Sequence, residues 1–280
     1  MVRTWFITGG TPGGFGPAYA DAALAQGDRV AITTRRPAQL REWARAHGDR
    51  VLVLEVDVTD SDQVGHAVEA TEQRFGAIDV LVNNAGRGWH GSVEGTDEQV
   101  VRGIFELNFF AVVAVLRAVL PGMRARGEGW IVTMSSVAGI RGVLGFGYYT
   151  AAKSAIEGLT DVLREEVAPF GIKVLTVEPG AFRTNAYAGF AHEPVGDLAA
   201  YDSMLESVHA AMVEQDGKQP GDPRRGVAQV LAAMAEPEPP QRIVLGGAGY
   251  DSVIETLAGK LADIRSHETQ ARAADFPILD

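Results

Sequence analysis

The chain has 280 residues, an apolar fraction of 46%, no cysteine and a formal net charge of −11. The lack of cysteine excludes disulfides, thiolate zinc sites and a cysteine nucleophile, and the acidic balance argues against nucleic-acid binding, which requires clustered Lys and Arg side chains. No apolar run approaches the roughly 18 residues of a membrane helix, and the chain opens on a strand-and-turn pattern, so we expect a cytoplasmic protein without signal peptide or membrane segment.

Short apolar runs alternate with longer helical patterns along the chain, which predicts parallel strands covered on both faces by helices. Strands are predicted at 2–8, 29–34, 51–56, 78–83, 130–135, 173–178 and 242–245. Helices are predicted at 17–26, 37–47, 60–75, 96–124, 149–170 and 251–272. Residues 185–223 break this rhythm and are expected to form a helical lid or loop over the site. The expected fold is one α/β domain over 1–280, a doubly wound parallel sheet of about seven strands.

The segment Thr8 to Gly16, T-G-G-T-P-G-G-F-G, lies between a predicted strand and a predicted helix. Glycines in this context let the backbone approach a pyrophosphate, and the helix N-terminus attracts its charge. A tight turn without a ligand is the alternative. After the second strand come Arg35 and Arg36 instead of an acidic residue. Guanidinium groups match phosphate geometry, so this pair predicts NADP binding, with a plain surface arginine pair as the alternative.

Tyr149 and Lys153, in the segment Y-T-A-A-K, share one face of a predicted helix. An unperturbed Tyr has a pKa of about 10. A nearby Lys cation favours the phenolate and suits the Tyr to general acid/base work at neutral pH. Ser136 lies upstream, at the end of a predicted strand. Tyr and Lys four positions apart also occur on ordinary solvated helix faces, so the catalytic interpretation of this pair depends on the other motifs of the chain.

Together these motifs resemble the short-chain dehydrogenase/reductase family over roughly residues 4–184, with a likeness to its NADP-preferring carbonyl reductase and hydroxysteroid dehydrogenase members. The resemblance implies a Rossmann-like fold and NADP as cofactor. The matching segments are the glycine turn, Asp57-Val58, Asn83 to Gly86, Asn108, Ser136, Tyr149, Lys153 and Pro179 to Thr184. The turn is one residue longer than the family's usual T-G-x-x-x-G-x-G, and we expect Pro12-Gly13 to absorb the insertion.

The resemblance also implies residue roles. It implies adenine contacts for Asp57 and Val58, ribose contacts for 84–86, and nicotinamide contacts for Phe182 and Thr184. The implied catalytic residues are Asn108, Ser136, Tyr149 and Lys153. The implied cofactor-binding residues are Gly9, Thr11, Gly14, Phe15, Gly16, Arg35, Arg36, Asp57, Val58, Asn84, Ala85, Gly86, Tyr149, Lys153, Pro179, Gly180, Phe182 and Thr184.

The expected reaction is reversible hydride transfer between a nicotinamide and a carbonyl carbon. Tyr149 would exchange a proton with the substrate oxygen, Ser136 would hold that oxygen, and Lys153 would bind the ribose and lower the Tyr149 pKa. Asn108 would fix a water that links Lys153 to solvent. The alternatives are a binding protein that senses the dinucleotide without turning it over, and an NAD-dependent alcohol dehydrogenase of the same fold.

Two further expectations concern partners. An apolar pocket for a small hydrophobic ketone or alcohol is predicted from Val143, Leu144, Phe146, Tyr148, Tyr187, Phe190 and Tyr201. The long helix at 96–124 carries more apolar residues than one sheet-facing stripe can bury. A second apolar face usually marks an interface, so we expect a homodimer or homotetramer packed through this helix and the Tyr149 helix.

Overall fold

The computed structural model describes residues 2–186, 189 and 198–276. Its centre is a single parallel sheet of seven strands in the order β3-β2-β1-β4-β5-β6-β7. This architecture confirms the predicted doubly wound fold. The strands are β1 Thr4–Ile7, β2 Arg29–Thr34, β3 Val51–Glu55, β4 Val80–Asn83, β5 Gly129–Met134, β6 Ile172–Pro179 and β7 Arg242–Leu245.

Helices cover both faces of the sheet, because each strand carries apolar side chains on its two sides. The helices are α1 Phe15–Ala25, α2 Arg41–His47, α3 Ser61–Phe75, α4 Glu98–Phe105, α5 Ala111–Arg126, α6 Val137–Ile140, α7 Gly147–Val167, α8 Asp202–Gln215, α9 Pro223–Met234, α10 Gly247–Ser266 and α11 Glu268–Arg272. Helices α1 and α9 pack against one face of the sheet, in a core that includes Trp5 and Tyr19. Helices α3, α5 and α7 pack against the other face of the sheet, in a core that includes Phe6 and Ile131.

Most predicted elements lie within a few residues of the observed ones, and β2 and β7 match to the residue. The sequence-based prediction missed α6 and α9. Helix α9 had a readable start, because Asp222 caps it by accepting a hydrogen bond from the Arg224 N–H and Pro223 occupies its first turn. The segment expected to form a lid contains α8. The predicted pocket residues Tyr187 and Phe190 lie outside the described residues.

Helices α4 and α5 form one continuous 29-residue helix, Glu98–Arg126, joined by a π-helical segment at Glu106–Phe110. Its most apolar window has a mean hydropathy of 1.9 and is 39% buried in the protein. By length and composition alone this helix could cross a membrane, which corrects the expectation that no segment of that kind was present. A core helix of a globular protein passes the same test, so the finding is weak evidence for a membrane span.

Strand order fixes where a ligand can bind. Strands β1 and β4 are neighbours, but the chain leaves β1 toward β2 and β3 on one side and continues from β4 toward β5 on the other. Loops at the carboxyl ends of these strands diverge, which opens a crevice at the switch point where doubly wound folds bind ligands.

Candidate active site

A cavity of about 1040 Å³ lies along the carboxyl edge of the sheet. It is lined by the glycine turn, the ends of β2 to β6, the start of α7 and one side of α8. Among the residues expected to act in catalysis or cofactor binding, all but Gly16, Arg36 and Asn108 line this cavity. The crevice therefore brings together groups that are widely separated in the chain.

The glycine turn is shaped by backbone conformations and close contacts that exclude a side chain. Gly9 has φ +83° and Gly13 has φ +79°, in the left-handed region that favours glycine. A Cβ on Gly16 would overlap the Gly9 carbonyl oxygen. Gly16 therefore keeps the first turn of α1 close to β1, while Gly9, Thr11, Gly14 and Phe15 line the cavity itself. This narrow cradle at the start of α1 fits a pyrophosphate.

Three polar side chains hold the turn in place. The Asn84 amide donates to the carbonyl oxygens of Thr8 at 2.8 Å and Gly9 at 2.9 Å. The Thr8 hydroxyl accepts from the backbone N–H groups of Asn84 and Ala85 at 2.9 and 3.0 Å. Asn185 donates to the Pro12 carbonyl at 2.7 Å, so the inserted part of the turn is tied to the chain after β6. The sequence analysis assigned no role to Thr8 or Asn185, although Thr8 belongs to the turn motif it used.

The end of the cavity at β2 and β3 carries one arginine and one carboxylate. Arg35 lines the cavity, whereas the adjacent Arg36 does not. Asp57 accepts hydrogen bonds from the Thr59 hydroxyl at 2.8 Å and the Thr59 N–H at 3.1 Å. These hydrogen bonds, with a smaller effect of the Arg35 charge, hold the pKa of Asp57 below its ordinary value. This end presents a guanidinium and a carboxylate to a ligand.

Ser136, Tyr149 and Lys153 line the middle of the cavity. The Ser136 hydroxyl accepts from the Ala138 N–H at 3.1 Å and caps α6, so it keeps a hydrogen that it can donate to a ligand. Tyr149 lies in the first turn of α7, and its ring meets Phe146 edge-on at 6.3 Å between centroids. The two hydroxyl-bearing side chains thus line the same cavity.

Lys153 lies one helical turn after Tyr149 and is buried. Its Nζ donates to the Met134 carbonyl at 2.9 Å and lies 5.8 Å from the centre of the Tyr149 ring. Burial lowers the pKa of Lys153 to about 8, against a smaller opposing effect of Glu157. The Met134 carbonyl, a backbone group that no side-chain motif reveals, therefore orients the ammonium beside the phenol.

Asn108 lies behind the cavity wall, in the π-helical segment. Its amide donates to the carbonyl oxygens of Arg87 at 3.1 Å and Ile104 at 3.0 Å, and its side-chain oxygen accepts from the Arg87 N–H at 3.1 Å. A Cβ on Gly86 would lie 2.9 Å from the Asn108 oxygen and 3.4 Å from the Lys153 nitrogen. The Asn108 side chain is thus committed to the loop after β4, close to Lys153.

The family resemblance implies cofactor contacts at the end of β6 and just after it, with Phe182 and Thr184 as the nicotinamide contacts. Pro179, Gly180, Phe182 and Thr184 all line the cavity. The Phe182 ring is largely buried and packs on Phe15 of the glycine turn at 5.0 Å between centroids. This aromatic contact links the segment after β6 to the turn after β1, so the two sides of the crevice are held at a fixed separation.

The wall opposite the glycine turn is apolar. Val143, Leu144 and Phe146 line it as predicted, and α8 adds residues that the sequence analysis did not name: Val208, Ala211, Met212 and Gln215. Tyr148 and Tyr201 do not line the cavity, which corrects their predicted place in the pocket. The Tyr148 hydroxyl donates to the Val93 carbonyl at 2.8 Å, and the Tyr201 hydroxyl donates to Glu94 at 2.7 Å.

A buried acidic pair lies beneath the site, one turn of α7 beyond Lys153. Burial raises the pKa of Glu157, and burial with the Glu157 charge raises the pKa of Glu178 to about 8. Arg242 lies 3.6 Å from Glu157 and 3.4 Å from Glu178, and it forms a shorter ion pair with Asp161 at 2.8 Å. The Arg242 charge therefore offsets only part of the cost of ionising this pair.

This pair predicts a pH-dependent stability. Between about pH 4.5 and pH 8 the folded protein keeps the Glu178 proton while the unfolded chain releases it, so ionisation favours unfolding. We expect the contribution of Glu178 to the free energy of unfolding to fall by roughly a few kcal/mol as the pH rises through this window.

The Glu178→Gln variant keeps the size of the side chain and should lose this pH dependence. Denaturant unfolding at about pH 5 and about pH 8 would measure the effect in the wild type and the variant. Glu69→Gln, at an exposed position on α3, is the matched control and should follow the wild type. Equal slopes with pH in all three proteins would contradict the prediction.

A family model described as short chain dehydrogenase matches residues 3–194. Oxidoreductase BOA17 of Botryotinia fuckeliana is 37% identical over 95% of this chain and 95% of its own length. The 3-ketodihydrosphingosine reductase of Bacteroides thetaiotaomicron is 37% identical over 85% of this chain and 86% of its own. The crystal structure of a short-chain dehydrogenase from Streptomyces avermitilis has a TM-score of 0.89 and 38% identity, covering 99% of this chain and 100% of that chain.

Proposed function

The chain belongs to the short-chain dehydrogenase family of nicotinamide-dependent oxidoreductases, and we propose that it interconverts a hydrophobic ketone or aldehyde with the alcohol, using NADP(H). The observation that carries this proposal is the convergence of Ser136, Tyr149 and Lys153 on one cavity beside the glycine cradle. The cofactor, when bound, supplies or accepts the hydride. The residues of this chain bind, orient and handle the proton.

The proton chemistry follows from the three side chains. We assign Tyr149 as the general acid in reduction and the general base in oxidation, with Ser136 donating a hydrogen bond to the same substrate oxygen. Lys153 holds a positive charge beside the phenol, which favours the phenolate after the proton has left. The side chain of Asn108 is occupied by the loop after β4, so we assign it to positioning that loop and the π-helical segment near Lys153.

A spectrophotometric screen tests the proposed function. Purified protein with NADPH would be mixed with hydrophobic ketones and aldehydes, and with NADP and the corresponding alcohols, while the absorbance of the reduced cofactor is followed. A relative named as a 3-ketodihydrosphingosine reductase supports the inclusion of keto lipids. Binding of the dinucleotide without turnover of any carbonyl or alcohol would favour the alternative, a dinucleotide-sensing protein.

We propose that Arg35 makes the main contribution to NADP selectivity. It lines the β2 end of the cavity, and the described residues there include no carboxylate at the end of β2 to bind a 2′-hydroxyl. Removing one charge-assisted contact costs about 1.5–3 kcal/mol, so Arg35→Ala should weaken NADPH about ten- to hundredfold. NADH affinity should change little.

Arg36→Ala is the matched control, because Arg36 is exposed but does not line the cavity. Titration of both variants with NADPH and NADH would measure the selectivity. Equal weakening of the two dinucleotides in Arg35→Ala would place the discrimination elsewhere and favour an NAD-dependent alcohol dehydrogenase.

We propose a homodimer or homotetramer that packs through the 98–126 helix and α7. Phe110 on the long helix is 50% exposed and Val162 on α7 is 57% exposed, so both helices keep apolar side chains outside the protein core. Burying such surface between copies is favourable. We propose that contact between copies, and not a membrane, covers the apolar helix, and that the protein is cytoplasmic and has no membrane or nucleic-acid partner.

Light scattering tests the assembly. We expect a mass of two or four times 29.8 kDa for the wild type, and a shift toward one chain when Phe110 and Val162 are both changed to Glu. Ile264→Glu, at a 70% exposed position on α10, is the control and should keep the wild-type mass. A wild-type protein of single-chain mass at micromolar concentration would refute the proposal.

A further inference from the structure

Arg141 lies in the cavity wall with its charge unmatched. It follows α6 directly, and its Nε is buried without a hydrogen-bond partner. Among the described residues, none forms a hydrogen bond or an ion pair with its side chain. The residue as a whole is half-buried. A guanidinium stays charged at any ordinary pH, and a buried N–H donor without an acceptor is costly. An arginine kept in this state at a cavity surface is suited to an anion that arrives with a ligand.

The position of Arg141 separates it from the cofactor phosphates. The glycine cradle lies at the end of β1, and Arg35 lies at the end of β2. Arg141 lies after β5, on the other side of β4 in the sheet order. It belongs to the segment between Ser136 and Tyr149, and residues of the same segment form the apolar wall. Arg141 therefore faces the space left for substrate.

Positive side chains predominate among the charged residues that line this space. Among the described residues that line the cavity, the charged ones are Arg35, Asp57, Arg87, Arg141 and Lys153. Asp57 is the one carboxylate in that set, and it lies at the far end beside Arg35. The Lys153 ammonium is bonded to the Met134 carbonyl. The substrate side is thus positive in a chain whose net charge is −11.

The first turn of α10 reinforces this field. Ala248 and Gly249 in this turn and Ser252 in the next line the same cavity as Arg141, and Gly249 packs against Val137 of α6. The first backbone N–H groups of a helix have no intrahelical acceptor and carry a partial positive charge. This helix end adds donors of the same sign to the Arg141 charge.

We infer that the substrate is a ketone or alcohol with an apolar body and a terminal carboxylate, and that Arg141 binds the carboxylate. One guanidinium offers a single fork of two N–H donors, which matches the two oxygens and single charge of a carboxylate. The apolar wall of Val143, Phe146 and Met212 then covers the chain between the carboxylate and the reacting carbonyl. This inference rests on the proposed function, since it names the substrate class of the same site.

The test uses straight-chain keto acids of increasing length, each paired with its methyl ester. Reduction by the wild-type protein with NADPH gives kcat/KM, and calorimetric titration of the protein with each compound gives binding without turnover. We expect the best acid to exceed its ester about ten- to hundredfold in the wild type, the range for a hydrogen-bonded charge. Arg141→Gln should remove that difference by slowing the acid while leaving the ester unchanged.

Two further variants keep the result interpretable. Arg141→Lys retains the charge without the fork and should keep part of the preference for the acid. Arg124→Gln removes one exposed positive charge near the end of α5, which lies outside the cavity, and should leave both substrates unaffected. Thermal unfolding would check each variant, and Arg141→Gln should unfold no earlier than the wild type because no described residue pairs with the Arg141 side chain and its buried Nε has no acceptor.

The outcomes separate this inference from the proposed function. Reduction of acid and ester with equal kcat/KM, or equal loss of both in Arg141→Gln, would overturn the inference while the proposed function stands. Binding of the acid that depends on Arg141, without reduction of either compound, would support the inference and count against the proposed function. A failure of the wild type to prefer any acid over its ester in binding would also overturn the inference.

Discussion

Replacement of Tyr149 by Phe is expected to lower kcat by about 10²–10⁴-fold, the usual contribution of a positioned general acid. The variant loses only the hydroxyl, because the ring can keep its edge-on contact with Phe146. NADPH affinity should therefore stay near the wild-type value. Steady-state reduction of the best ketone from the screen measures kcat, and fluorescence titration with NADPH measures binding.

Tyr148→Phe is a closely matched control for this experiment. Tyr148 precedes Tyr149 on the same helix, but its hydroxyl donates to the Val93 carbonyl and lies outside the cavity lining. Its loss should leave kcat within a few-fold of the wild type. A Tyr149→Phe protein that keeps more than half of the wild-type kcat would remove Tyr149 from the proposed proton transfer.

Replacement of Gly16 by Ala is expected to disrupt the dinucleotide cradle. The added methyl group would overlap the Gly9 carbonyl oxygen and lie 2.9 Å from the Asn84 amide nitrogen, so the turn or α1 must shift. Overpacking of this kind costs about 1–3 kcal/mol, and more where the obstacle is backbone. A domain of roughly this size loses about 2–4 °C of Tm per kcal/mol. We expect a lower Tm and at least about tenfold weaker NADPH binding.

Gly65→Ala isolates the effect of position from the effect of residue type. Gly65 lies within α3, and a Cβ there would have no neighbour within 4 Å. Since Ala favours a helix interior over Gly by about 1 kcal/mol, this variant should be as stable as the wild type or slightly more stable. If Gly16→Ala instead retains wild-type NADPH affinity and Tm, the close approach of α1 to β1 is not needed for the cradle.

The sequence by itself determined the strands of the sheet and which residues follow the end of each strand. Apolar runs such as 29–34 and 242–245 predict strands because burial on both faces selects β-branched residues locally. The end of each strand then places Gly9, Asp57, Asn84, Ser136 and Thr184 at one edge, because parallel strands end together. Fold, family and the grouping of these residues at one edge of the sheet therefore follow from local pattern and strand order.

Tertiary structure decided which of two neighbouring side chains faces a ligand. Arg35 and Arg36 are equivalent in sequence, yet only Arg35 lines the cavity, because orientation depends on packing against distant strands. The proximity of Glu157 to Glu178 and the unmatched charge of Arg141 likewise depend on contacts between segments far apart in the chain. Local periodicity does not predict such contacts, because burial, charge pairing and pKa shifts depend on how distant elements pack together.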